Sequence, residues 1–204
     1  MSDEQAIDAD ENENEERDEL HQKLLERREA ALAYVVKFGD PVLKSRASEV
    51  HEFGPELRAE VERMIRIMQE GMGVGLAATQ LGVLRRVLVF QAGADNEPSA
   101  LVNPKIEWLS DETEISDEGC LSFPGVYVPI KRSLRARVRA VGLDGQEFVA
   151  EGEGLYARAM QHENDHLENK LLIDYVGPIK RQMIKRKMER MTDEEAEELQ
   201  AQGE

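Results

Sequence analysis

The stretch MQHENDHLENK, residues 160–170, holds His162 and His166 with three residues between them, and Glu163 directly after the first. In a helix, positions i and i+4 share a face, so both imidazoles can point at a common centre. Leu155, Ala159, His162 and His166 fall at i, i+4, i+7 and i+11. The two histidines therefore continue what reads as the buried stripe of a helix over about 153–168, which Asn169 can end in the left-handed conformation. Two core histidines can be satisfied by ordinary hydrogen bonds. At this spacing, with a Glu between them, they also match His-Glu-x-x-His, in which the imidazoles hold a metal ion and the Glu is a general base. A chain that uses the motif so must bury this helix and bring a further ligand to its face.

A catalytic divalent site usually has three protein ligands and one open position. DEGCLSFPG supplies a candidate third ligand in Cys120, the single cysteine of the chain. A lone Cys is often just a small buried hydrophobe, but Gly119 allows a close backbone approach and acids precede it. Cys, His and His together suit borderline-soft ions such as Zn²⁺ or Fe²⁺. Glu163 lies beside the metal-facing stripe and could take a proton from water and pass it to a leaving amine; the alternative is a carboxylate that orients a histidine. Asp165 points elsewhere and reads as a structural hydrogen-bonding group. A carbonyl under attack needs donors for its developing negative charge. In GMGVGLAATQLG, Gly73 and Gly75 let backbone approach a ligand, and Gln80 carries an amide donor. The backbone N–H of Leu121 is a second candidate donor.

The net charge of −16 is concentrated at the ends. Residues 1–20 carry −9 and residues 191–204 carry −6, which leaves −1 for the body. MSDEQAIDADENENEE has neither a basic start nor an apolar core, so no secretory signal is expected. The longest apolar run, AALAYVV, is too short to span a bilayer. A single Cys excludes an intramolecular disulfide, and a cytoplasmic protein with no membrane association is the expectation.

Residues 1 to about 17 are polar, acidic and low in complexity, a composition that predicts disorder. Leu20, Leu24 and Ala31 then recur at helical spacing, so a short surface helix is expected over about 18–33. YVVKFGDPVL reads as a short strand and a turn. Residues 55–70 read as an amphipathic helix with Leu57, Val61, Met64, Ile65 and Met68 on one stripe. RRVLVF and ALVNP read as strands. RARVRAV alternates Arg with Ala and Val, as a half-exposed strand does, and Asp144-Gly145 turns it into QEFVA as a hairpin. A last helix is expected over about 178–200. Strands in the middle with helices before and after predict an α+β fold with antiparallel or mixed sheets. The chain divides into an acidic tail with a short helix (1–33), a catalytic domain (34–176), and a C-terminal helix with a basic then an acidic segment (177–204).

Three stretches, GVGLAATQ, EGCLS and QHENDH, resemble the signature motifs of the bacterial-type peptide deformylase family, in the same order and at fitting spacing. FGDPVL and NPKI look like further landmarks of it, and the resemblance covers roughly residues 34–176. It implies sheets packed around a central His-Glu-x-x-His helix and removal of formate from the N-formylmethionine of nascent polypeptides. It implies Cys120, His162 and His166 as ligands of one divalent ion, with Fe²⁺ the physiological metal and Zn²⁺, Ni²⁺ or Co²⁺ able to replace it. Glu163 becomes the general base, while Gln80 and the Leu121 N–H stabilise the formyl oxygen. Gly73, Val74 and Gly75 would pair with the substrate backbone as an added strand. Gly119 would also contact substrate, and Val74, Leu155, Arg158 and Ala159 align near the methionine pocket. Arg158 is polar for that setting; its stem could line the wall while its head reaches solvent. Asn169 stands where the family usually has Gly. A general metallopeptidase also uses His-Glu-x-x-His, but Cys120 as third ligand speaks against it. An inactive ribosome-binding homologue is the non-enzymatic alternative, and retention of every expected ligand, the Glu and the Gln speaks against that.

GPIKRQMIKRKMER, within the last helix, carries a local +5 beside an apolar arc of Ile179, Met183, Ile184, Met188 and Met191. It resembles the C-terminal helix through which family members can dock on the ribosome, here over residues 180–190. A solvated surface helix paired with the following acids is the competing reading.

Overall fold

The computed structural model describes the backbone of residues 3–93 and 95–201, and the side chains of residues 17–93 and 95–191. Helix α1 runs Asp3–Leu32. Its backbone thus begins far ahead of residue 18, across the tail whose composition predicts disorder. Leu20 and Leu24 are exposed, and Ala31 is buried. The stretch 34–37 is not a strand. Val36 N–H donates to Gln80 O and Phe38 N–H to Ser122 O, so neighbouring residues bond different segments and no ladder forms. The turn after it is real: Asp40 caps a 3-10 turn at Pro41–Lys44, its Oδ1 accepting from Val42 N–H at 2.8 Å.

Helix α2 spans Pro55–Glu70 and buries Leu57, Val61, Met64, Ile67 and Met68, with Ile65 only half-buried. Five strands, β1 (Gly75–Ala77), β2 (Val87–Phe90), β3 (Ser99–Leu109), β6 (Arg135–Val141) and β7 (Glu147–Glu153), form one sheet in the order β1-β2-β3-β6-β7. All their pairings are antiparallel. β6 has the expected alternation, every arginine exposed and Ala136, Val138 and Ala140 buried. Two further strands, β4 (Thr113–Cys120) and β5 (Phe123–Ser133), make a separate antiparallel ribbon that the sequence reading passed over. Pro124, Gly125 and Pro129 argue against a strand, yet a two-stranded ribbon has open edges where proline costs no ladder bond.

Helix α3 (Leu155–Leu167) starts at Gly154, whose φ of +58° suits glycine, and is followed by Asn169 at φ +59°, the expected left-handed residue. It lies against β1, β2, β6 and β7 and also reaches β5. Its inner face packs Ala157, Ala159, Met160 and Leu167 on Leu88, Phe90 and Leu101. Helix α4 (Pro178–Ala201) rests on the ribbon through Ile184 and Met188, which join Phe123, Val126, Val128 and Ile130 in one apolar cluster. Among the described residues, no helix is long and apolar enough to cross a membrane.

Candidate metal centre and cavity

Cys120 ends β4 at a register shift, where the ribbon closes through Leu121 and Ser122 back to Phe123. That tight end meets the face of α3 carrying the histidines. Cys120 Sγ lies 3.3 Å from His166 Nε2, and the ligand atoms of Cys120, His162 and His166 all fall within 4.8 Å of one another. His162 Nδ1 is 2.8 Å from Glu118 Oε2, so its Nε2 is the nitrogen left for another partner. A cysteine sulfur and two imidazoles converging in this way fit a borderline-soft divalent ion.

Glu118 holds this end of the site in place. Arg132 grips it with two parallel bonds of 2.9 Å, and the Arg158 guanidinium adds a third at 2.8 Å. Arg132 also donates to Asp165 at 2.6 Å and to the Tyr175 hydroxyl at 2.7 Å. Asp165 therefore has the structural role expected of it. Burial acts to raise the Glu118 carboxyl, but hydrogen bonds with His162 and Arg132 outweigh it and hold the pKa at about 2. The sequence reading missed Glu118 and Arg132. Strand alternation could have found Glu118, which sits two residues before Cys120 on the same face; nothing local marked Arg132.

Glu163 is buried and lines the cavity. Burial raises its carboxyl to about 7, with the Glu118 and Asp165 charges adding to the effect against His162 and Arg132. Glu163 Oε2 has no hydrogen-bond partner among the described residues, and neither does His166 Nδ1. A buried oxygen facing a cavity without a protein partner is placed to serve something that enters. Gly75 has no room for a side chain: a Cβ there would stand 2.3 Å from Glu163 Oε1. At Gly119 a Cβ would meet the Tyr127 ring at 2.9 Å. Burial lowers His166 well below the usual imidazole range, with His162 and Arg132 adding to it. Burial opposes the charge on His162 too, but hydrogen bonds to Cys120 and Glu118 raise it well above that range.

Gln80 Oε1 accepts from Ala77 N–H at 2.8 Å, which turns its amide nitrogen toward the site. That nitrogen donates to Cys120 Sγ at 3.4 Å and Ser122 Oγ at 3.3 Å. One cavity of about 310 Å³ unites the set. Gly73, Val74, Gly75, Gln80, Gly119, Cys120, Leu121, Leu155, Arg158, Ala159, His162 and Glu163 all border it. Two expectations need correction. Leu155 is 50 % exposed, because it is the first residue of α3 and stands at the rim, not on the buried stripe. The Arg158 head is not free in solvent: Glu118 and the carbonyls of Ile130 and Glu114 hold it, and the side chain is only 11 % exposed. Met72, Tyr127, Arg28 and Leu32 also border the cavity and were not foreseen.

A family model described as polypeptide deformylase matches residues 32–182. The peptide deformylase of Saccharophagus degradans is 42% identical over 170 residues, covering 83% of this chain and 99% of its own length. The crystal structure of peptide deformylase from Thermotoga maritima superposes with a TM-score of 0.68 at 45% identity, covering 71% of this chain and 97% of that one. A peptide deformylase from Synechococcus elongatus, solved in complex with actinonin, gives 0.69 at 35% identity, covering 72% of this chain and 82% of that one.

Proposed function

The chain belongs to the polypeptide deformylase family, and from that premise we propose that it removes the formyl group from N-formylmethionine at the start of nascent polypeptides, releasing formate. The observation that carries this reading is the convergence of Cys120, His162 and His166 beside the buried, unpartnered carboxylate oxygen of Glu163. Those three residues would hold one divalent ion, Fe²⁺ by the family resemblance, with Zn²⁺, Ni²⁺ or Co²⁺ as substitutes. Such an ion supplies Lewis acidity, which makes water a competent nucleophile near neutral pH.

The protein groups do the rest. Glu163 accepts a proton from the attacking water as its oxygen bonds to the formyl carbon. The Gln80 amide and the Leu121 N–H donate to the formyl oxygen as negative charge collects there. Glu163 then returns the proton to the methionine nitrogen as the C–N bond breaks, leaving formate and a free amine. Glu118, fixed by Arg132, keeps His162 in the orientation that presents Nε2. β1, which starts at Gly75, is an edge strand of its sheet, and Gly73 and Val74 lead into it, so an extended peptide could be added along this stretch. Val74, Leu155, Ala159 and the methylene stem of Arg158 would surround the methionine side chain, and Gly119 would also contact substrate.

A general metallopeptidase is the competing reading. Formate release from a formyl-Met peptide, beside hydrolysis of its unformylated twin, separates the two. Peptide-bond cleavage without formate release would overturn the deformylase reading. We place the protein in the cytoplasm, near ribosomes, with residues 180–190 as the docking segment. Lys180, Arg186 and Arg190 are exposed there, whereas Arg181 is turned back onto Ile173 O and Lys187 onto Gly125 O.

A further inference from the structure

We propose that Arg28 of α1 is a specificity-determining residue that favours peptides carrying an acidic side chain close behind the formylated methionine. This rests on the activity proposed above. The cavity that contains Cys120, His162 and Glu163 is also lined by Arg28 and Leu32. Leu32 locates that wall. Its Cδ2 and the Cδ1 of Leu121 each stand 3.5 Å from where a Cβ on Gly71 would be, and Leu121 directly follows Cys120. Arg28 is one helical turn earlier, about 6 Å along the axis. Leu121, Leu32 and Arg28 thus belong to one stretch of the lining that starts beside Cys120. Ala31, 2 % exposed and packed with the α2 residues Leu57, Val61 and Met64, fixes this part of α1.

The charges around the cavity are mostly committed. Glu118 is held by Arg132, Arg158 and His162, Arg158 pairs with Glu118 and Glu114, and Glu163 lies at the reacting end. Asp117 is exposed on β4, in the ribbon wall. Arg28 is exposed and makes no ion pair or hydrogen bond among the described residues. A formylated N-terminus carries no ammonium, so the first charge such a substrate presents is a side chain farther along. An extended peptide advances about 3.3 Å per residue, so one turn of α1 corresponds to about two residues. The second to fourth positions come within reach of the guanidinium. Arg28 precedes the residues matched by the family model, which begin at Leu32, so this wall comes from the chain's own N-terminal helix.

The test is steady-state formate release by the full-length, metal-loaded protein from formyl-Met peptides with Glu, Ala or Lys at position two, three or four. Wild type should favour Glu over Lys at one of these positions by about two- to fivefold in kcat/KM, the size of an exposed charge pair. The difference should lie in KM and shrink as salt is added. Arg28→Ala should abolish the preference and Arg28→Glu reverse it, with the alanine peptides changing much less than the charged ones. The same ranking in all three, or an equal loss on every peptide, would overturn the role of Arg28. Absence of formate release from every peptide with wild type would overturn the proposed activity, and this inference with it.

Discussion

At the residue scale, the chemistry turns on Glu163 and on what surrounds it. Glu163→Ala removes the group that moves the proton but leaves all three candidate ligands. Turnover should fall by about 10² to 10⁴-fold, as loss of general acid–base catalysis typically does, with metal content unchanged by elemental analysis. Near-normal turnover would show that the base is elsewhere. Gly75→Ala approaches the same carboxylate from the other side. Its Cβ would fall 2.3 Å from Glu163 Oε1, so the carboxylate must move. Formate release should drop at least tenfold, since angstrom-scale misplacement of a catalytic group is costly, while far-UV circular dichroism stays native. Unchanged kcat/KM would mean that the position of Glu163 is not critical.

At the element scale, the β4–β5 ribbon supplies Cys120 and α3 supplies the histidines, and Arg132 ties the two together. Its guanidinium reaches Glu118 on β4, Asp165 on α3 and Tyr175 beyond it. Arg132 and Glu118 are 6 % and 4 % exposed. Breaking a buried ion pair from one side leaves an uncompensated charge and costs about 3–5 kcal/mol. Arg132→Met should therefore lower unfolding stability by about that amount in urea titrations and weaken metal retention against a chelator. Loss of stability within error of zero would show that the network is not holding the ribbon to the helix.

At the scale of the whole molecule, α4 belongs partly to the core and partly to the surface. Ile184 and Met188 are buried against β5, while Ile179 and Met183 are exposed. Deleting the helix after Gly177 would therefore remove core side chains, so surface substitutions are the cleaner test of docking. Replacing Lys180, Arg186 and Arg190 together by Ala should weaken ribosome co-sedimentation at low salt and leave formate release from short peptides unaltered. Binding by wild type should fall steeply with salt, because each neutralised phosphate releases counterions. Equal co-sedimentation of both proteins would rule out these bases as the contact.

Much of the site was legible in the chain because its parts are local. The i, i+4 spacing of His162 and His166 needs only a helix, and a helix is set by nearby residues; Asn169 and Asp144-Gly145 likewise announce their own turns. The strand RARVRAV declares its buried face through alternation alone. The meeting of Cys120 with His166 across forty-six positions was suggested by chemical type and by family resemblance, not by spacing. Tertiary structure alone decided the partners of Arg132 and Arg158, because a buried cation takes whichever carboxylates packing brings near. It also decided that Leu155 sits at a rim, that Pro129 lies within a strand, and that Arg28 faces the cavity. Periodicity reports which face of an element is apolar; what that face meets depends on how distant segments fold against it.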